Sequence, residues 1–115
     1  MSRGEVEDRI SRALTQWEKE YLGRGSIVAR TDVVRNMVIV VLKGVMTPAE
    51  QQLASTSEGR VAIKRMRADL VESGSEACKA MVAEITGVDV ANFFTDLSTR
   101  TGERVMVFML EHPLR

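Results

Sequence analysis

The stretch VVRNMVIVVLKGVMTPAE, Val33 to Glu50, decides the fold. Within it Met37-Val38-Ile39-Val40-Val41-Leu42 is apolar at both alternations, so as a strand it carries apolar side chains on both faces. Such a strand is covered on both sides, by helices, by a second subunit or by both. A β-rich run from Ser26 to Val34 precedes it, and the polar pair Arg35-Asn36 between the two reads as a hairpin turn. Arg-Asn is not the favoured Asn-Gly, which leaves the turn type open. Beyond Lys43-Gly44 a helix begins at Thr47-Pro48-Ala49-Glu50. Thr47 is placed to accept an N–H bond as N-cap, Pro48 suits the first helical position, and Glu50 at N3 completes a capping box.

Outward from this core the elements follow. Val6, Ile10, Ala13, Leu14, Trp17 and Tyr21 recur every three or four residues, predicting a first helix over about residues 4–22 that ends at Gly23 and Gly25. The helix opened by Thr47 reaches about Ala54, and Thr56 or Ser57 caps a long helix from about Glu58 to Thr86 that stops at Gly87. Ile63, Met66, Leu70, Ala77, Met81 and Ile85 hold one face of that helix, with Gly74 in the gap as a bend or as a close crossing. Val88 to Leu97 and Arg104 to Leu110 are strands, the second apolar on both faces like Met37 to Leu42. The order α-β-β-α-α-β-β predicts one α+β domain over 1–115, with a four-stranded, mainly antiparallel sheet packed by the long helix.

The chain has 115 residues, and 16 Lys+Arg balance 16 Asp+Glu for a formal net charge of zero. This gives no bulk attraction to nucleic acid or to an anionic membrane, so neither nucleic-acid binding nor direct membrane insertion is expected. The charged, helical start is no signal peptide, and the longest apolar run, Met37 to Leu42, falls far short of the ~18 residues a spanning helix needs. A cytoplasmic protein is expected. One cysteine, Cys78, excludes an intrachain disulfide, and one histidine, His112, excludes a His-cluster metal site. No cofactor and no metal are expected.

Candidate functional residues are few. Asp96, Arg100, Glu103 and Arg104 gather around the last hairpin, where Asp96 and Glu103 read as surface ion-pair or interaction residues before they read as an acid–base couple. Arg24, on the Gly23-Arg24-Gly25 turn, joins Arg100 and Arg104 as candidate grips for an anion such as bicarbonate, a nucleotide or a phosphate. That turn follows a helix where a phosphate-cradling loop would open one. Arg60, Lys64 and Arg67 share a helical face and read as solvated. Cys78 reads as a small buried residue.

Gly23-Arg24-Gly25, the run Leu42-Lys43-Gly44-Val45 with Thr47-Pro48-Ala49-Glu50, and Thr101-Gly102-Glu103-Arg104-Val105 together resemble the MpsC-like family over about Glu5 to Leu110. Ser26 stands where that family usually has proline. The resemblance implies a cytoplasmic accessory protein beside a membrane-potential-generating or inorganic-carbon uptake system, and it brings no catalytic residues with it. Two strands apolar on both faces, a long helix with a small-residue gap and no catalytic set point to a non-enzymatic interaction protein and a homodimer, and the resemblance implies a membrane transport complex as a further partner. A small anion- or nucleotide-binding sensor is the alternative.

Overall fold

The protein is described from a computed structural model covering residues 1–23 and 28–115. Its elements run α1 (Arg3–Leu22), β1 (Val28–Val34), β2 (Met37–Lys43), α2 (Pro48–Leu53), α3 (Ser57–Thr86), β3 (Val90–Ser98) and β4 (Glu103–Leu110), in the expected order. The four strands form one open antiparallel sheet in the order β1-β2-β4-β3. The two strands that are apolar on both faces thus lie at its centre, and the more polar strands form its edges.

Local chemistry explains the boundaries. Ser2 caps α1 and Glu5 reaches back to the Ser2 N–H, while Thr47 and Glu50 make the same reciprocal pair at α2. Thr56, not Ser57, caps α3, and Gly87 ends it. The hairpin turn at Arg35-Asn36 places Arg35 at φ 56°, in the left-handed region that few non-glycine residues occupy. Asn36 ties this turn to the end of β4, its carbonyl accepting from Leu110 N–H at 2.7 Å and its amide donating to Leu110 O at 3.1 Å.

Both long helices lie on one face of the sheet. Val38, Val40, Leu42, Met106, Phe108 and Leu110 are buried there against Val6, Ile10, Leu14 and Trp17 of α1 and Ile63, Val71, Cys78 and Val82 of α3. On the opposite face Met37, Ile39, Val41, Val107 and Met109 are half-buried, and Val105 and Phe94 are exposed. No described element covers that face. Along the outer edge of β1, the Glu7 carboxylate of α1 accepts from the Val33 N–H at 2.8 Å.

The buried stripe of α3 is rotated from the expected one. It runs Gly59, Ile63, Arg67, Val71, Gly74, Cys78, Val82, whereas Met66 is exposed. Gly74 is no break: α3 is continuous for 30 residues, about 45 Å of helix. It is a close crossing, since a Cβ there would lie 2.9 Å from Trp17 Cζ2 and 2.9 Å from Tyr21 Cε1, two rings stacked with centroids 5.3 Å apart. Gly59 is tighter still, with an added Cβ only 1.8 Å from the Leu53 carbonyl oxygen.

That oxygen belongs to backbone and cannot swing aside. Gly59→Ala is therefore expected to push α2 away from α3 and to cost on the order of 1–3 kcal/mol, read from urea denaturation. Retention of full stability would show that the α2–α3 junction is not sterically fixed.

Candidate functional site

Polar chemistry concentrates in a buried charge cluster between the helices and the sheet. Arg67, 2% exposed in mid-α3, is its centre. Its Nε donates to Glu50 Oε2 at 2.8 Å and its Nη2 to Glu50 Oε1 at 2.5 Å, a two-pronged grip. Nη2 also donates to the Val45 carbonyl at 2.8 Å, and Nη1 to Glu18 Oε1 at 3.3 Å. One guanidinium thus holds α1, the loop after β2, and α2 on α3. Glu50 serves twice, because its Oε1 also accepts the Thr47 N–H at 2.9 Å in the capping box.

The neighbours set the proton affinities. Burial works to raise the Glu50 carboxyl, but hydrogen bonds from Arg67 and Thr47 outweigh it and hold Glu50 below its ordinary value. Glu18 is fully buried, and the loss of solvation pushes its carboxyl up against the pull of Arg67 and Arg104. Hydrogen bonding to Glu50 raises Arg67, whereas burial lowers Arg104. Cys78 is pushed up to about 12 by burial, so it holds its proton near neutrality.

The structure separates the residues singled out from sequence. Arg24 lies outside the described residues. Arg100 sits exposed in the β3–β4 turn and lines a cleft with Arg60, Thr99 and Gln51. Arg104 lines a different cavity, between α3 and β3, and is buried at 2% exposure, so Arg100 and Arg104 do not form one surface grip. Asp96 pairs with Lys64 of α3 at 3.3 Å, and its carboxyl is held below the ordinary value chiefly by the Leu97 N–H. Glu103 faces Lys43 at 4.0 Å. The two carboxylates are thus engaged by different lysines and form no acid–base couple with each other.

Glu18, Glu50 and Arg67 as a cluster went unread in the sequence, and Arg67 corrects the solvated-face expectation outright. A signal existed. Arg67 falls between Ile63 and Val71 at steps of four, Glu18 lies four after Leu14, and Arg104 is in alternation with Met106, Phe108 and Leu110. Among the described residues no group of three or more His, Cys, Asp or Glu side chains is arranged to hold a metal ion.

Removing one member of this cluster strands the others. Arg67→Met is expected to cost about 3–5 kcal/mol in urea denaturation, because Glu50 is left buried without its cation and Glu18 keeps only the more distant Arg104. A loss within experimental error would show that the cluster is not desolvated in solution. Acid supplies a second test. Because the folded Glu50 carboxyl lies below its ordinary 4.5, its contribution is complete above that pH and is lost as pH falls through the folded value. Glu18 has the opposite sign, its raised carboxyl gaining stability as it takes up a proton. Glu50→Gln is therefore expected to shrink the loss of stability on acidification below about pH 4.5, measured as unfolding free energy against pH. An unchanged acid limb would contradict this.

Residues 2–112 match the family model described as Na+-translocating membrane potential-generating system (MpsC). The chain is 55% identical over 109 residues to the uncharacterized protein YbcI of Bacillus subtilis (strain 168), covering 95% of this chain and 88% of that protein. It is 28% identical over 97 residues to the uncharacterized protein YrhF of the same organism, covering 84% of this chain and 80% of YrhF. No solved structure gives a significant match. The match over nearly the whole chain shows that this chain belongs to the MpsC family.

Proposed function

We propose that the protein is a non-enzymatic accessory module that pairs with a second copy of itself through the open face of its sheet. The observation that carries this reading is the uncovered apolar face itself. Met37 is opposite Met109, Ile39 opposite Val107 and Val41 opposite Val105, making three apolar rungs across the two central strands. Phe94, 55% exposed, extends the patch from β3, beside Val107. A contiguous apolar patch rimmed by polar groups is the usual mark of an interaction site.

The rim favours a second copy over a strongly charged partner. Arg30 and Asp32 of β1 pair at 3.1 Å, and Lys43 stands beside Glu103, so both signs are present at the border. A two-fold axis brings such a surface against itself, each positive group able to meet a negative one. The engagement of Asp96 and Glu103 by lysines and the protonated state of Cys78 support a role in interaction over catalysis. No helix among the described residues is long and apolar enough to cross a membrane. The family description supports an association with a membrane-potential-generating system, and in this reading the dimer works beside such a system, or beside one for inorganic-carbon uptake, from the cytoplasm.

Sedimentation velocity at tens of micromolar is expected to show a dimer, and Val107→Glu, centred on the patch, a folded monomer. A wild-type monomer at that concentration would overturn the self-pairing. Cells lacking the protein are expected to hold a reduced membrane potential by a potential-sensitive dye, restored by the wild type and not by Val107→Glu. An unchanged potential would overturn the accessory role.

A further inference from the structure

A cleft of about 760 Å³ opens where three segments meet: the corner after β2, the α2–α3 junction and the β3–β4 turn. Its size is that of a small-molecule site. Hydrogen bonds tie the three segments together. Val45 N–H donates to the Gly102 carbonyl at 3.2 Å, joining corner to turn, and the Gln51 side-chain amide donates to the Met46 carbonyl at 3.2 Å, joining α2 to the corner. Within the turn, Gly102 N–H donates to the Ser98 carbonyl at 2.8 Å and Thr101 N–H to Ser98 Oγ at 3.2 Å. The walls are therefore set before any ligand arrives.

The charge in this cleft is of one sign. Arg60 of α3 and Arg100 of the turn both line it, and no Asp or Glu does. The groove between α3 and β3 differs, since Lys64 and Lys79 stand there with Asp96 and Glu72. Arg12, Arg30, Lys43, Lys64 and Lys79 each have a carboxylate at ion-pair distance, whereas Arg60 and Arg100 have none among the described residues. Arg60 Nη1 donates to the Ala54 carbonyl at 2.9 Å, which steadies the side chain and leaves the rest of its fork uncommitted. Arg100 is exposed and reachable from solvent. Two guanidiniums with no carboxylate beside them repel, and an anion seated in the cleft relieves that repulsion. Ser55, Thr99 and Thr101 add hydroxyl groups to the walls.

We infer that this cleft binds a small phosphomonoester with a polar body, such as a sugar phosphate, its phosphate held by Arg60 and Arg100. Two cations match the two charges of a phosphomonoester at neutral pH, and a guanidinium offers paired N–H donors to phosphate oxygens. The cleft is larger than a bare phosphate needs, and Gln51 with the hydroxyls suits a hydroxylated body. No aromatic ring lines it to stack a base, which disfavours a nucleotide. The inference is independent of the self-pairing proposed above, because Met37, Ile39, Val41, Val107 and Met109 all lie outside the cleft lining.

Glucose 6-phosphate is the probe, with glucose and inorganic phosphate as controls and thermal unfolding of the full chain at neutral pH as the readout. Glucose 6-phosphate is expected to raise Tm in a saturable way, by about 5 °C at ten times its Kd. Glucose is expected to give no shift, and inorganic phosphate a clearly weaker one. Arg100→Gln removes an exposed guanidinium and is expected to weaken the apparent affinity by about tenfold or more without lowering the Tm of the free protein. Adding Arg60→Gln abolishes the shift, while Arg12→Gln, an exposed cation on α1 outside the cleft, leaves it intact. No shift up to 10 mM (roughly the weakest affinity of interest) would overturn the inference. So would an equal shift from either control, a shift indifferent to Arg100→Gln, or an equal loss in Arg12→Gln.

Discussion

The buried guanidinium of Arg67 is the constraint on which the arrangement of the helices depends. Apolar burial drives the chain together, but it is non-directional and leaves a helix free to settle at several rotations on a sheet. A planar fork gripping one carboxylate is directional. With Nε and Nη2 on Glu50 and the remaining donors on Val45 and Glu18, α3 has one rotation and one height at which every bond is made. Its net contribution to stability is a separate matter, since an apolar trio of equal volume can do as well or better. What the charges contribute is uniqueness. The rotation of α3 in turn sets which of its side chains face β3, and hence the walls of the groove beside Arg104.

The sheet tells a complementary story about its two faces. Residues 38, 40 and 42 and their partners on β4 meet two helices, while residues 37, 39 and 41 have no covering element among the described residues. A monomeric two-layer α+β domain ordinarily keeps its outer sheet face polar. Here the outer face is apolar along the centre and charged only at the border, and this asymmetry supports reading the protein as one that works through contact.

Most of the fold was legible in the sequence, for physical reasons. Helix starts were read from Thr47-Pro48-Ala49-Glu50 and the Thr56-Ser57 break because a cap is a local bond with a local spelling. The central strands were read from their apolar composition. The charged core was not legible, because periodicity treats a charged residue as evidence of a solvated face. Arg67, Glu18 and Arg104 lie in phase with buried positions, yet each is tolerated inside only because of groups distant along the chain. Arg67 and Glu18 are 49 residues apart, a separation that no local pattern spans. The rotation of the α3 stripe has the same origin: with Arg67 set aside as surface, Met66 and Leu70 took its place. The grouping of Arg100 with Arg104 failed for another reason, since one belongs to a turn and the other to a strand whose side chains alternate.

Glu7 carries a consequence for how large any assembly of this protein can grow. By accepting the Val33 N–H it occupies a donor on the free edge of β1 that would otherwise recruit the strand of a neighbouring molecule. At the other free edge, β3 has an irregular register between Val90 and Asn92 and a lysine from α3 drawn across to Asp96. A bulge and a charge at an edge both discourage strand-by-strand extension. With its lateral growth blunted at both ends, the sheet has its broad face as the remaining route to a neighbour. In the proposed pairing, stacking through a single face uses that face up, which limits the assembly to two subunits and keeps it from propagating into a fibre.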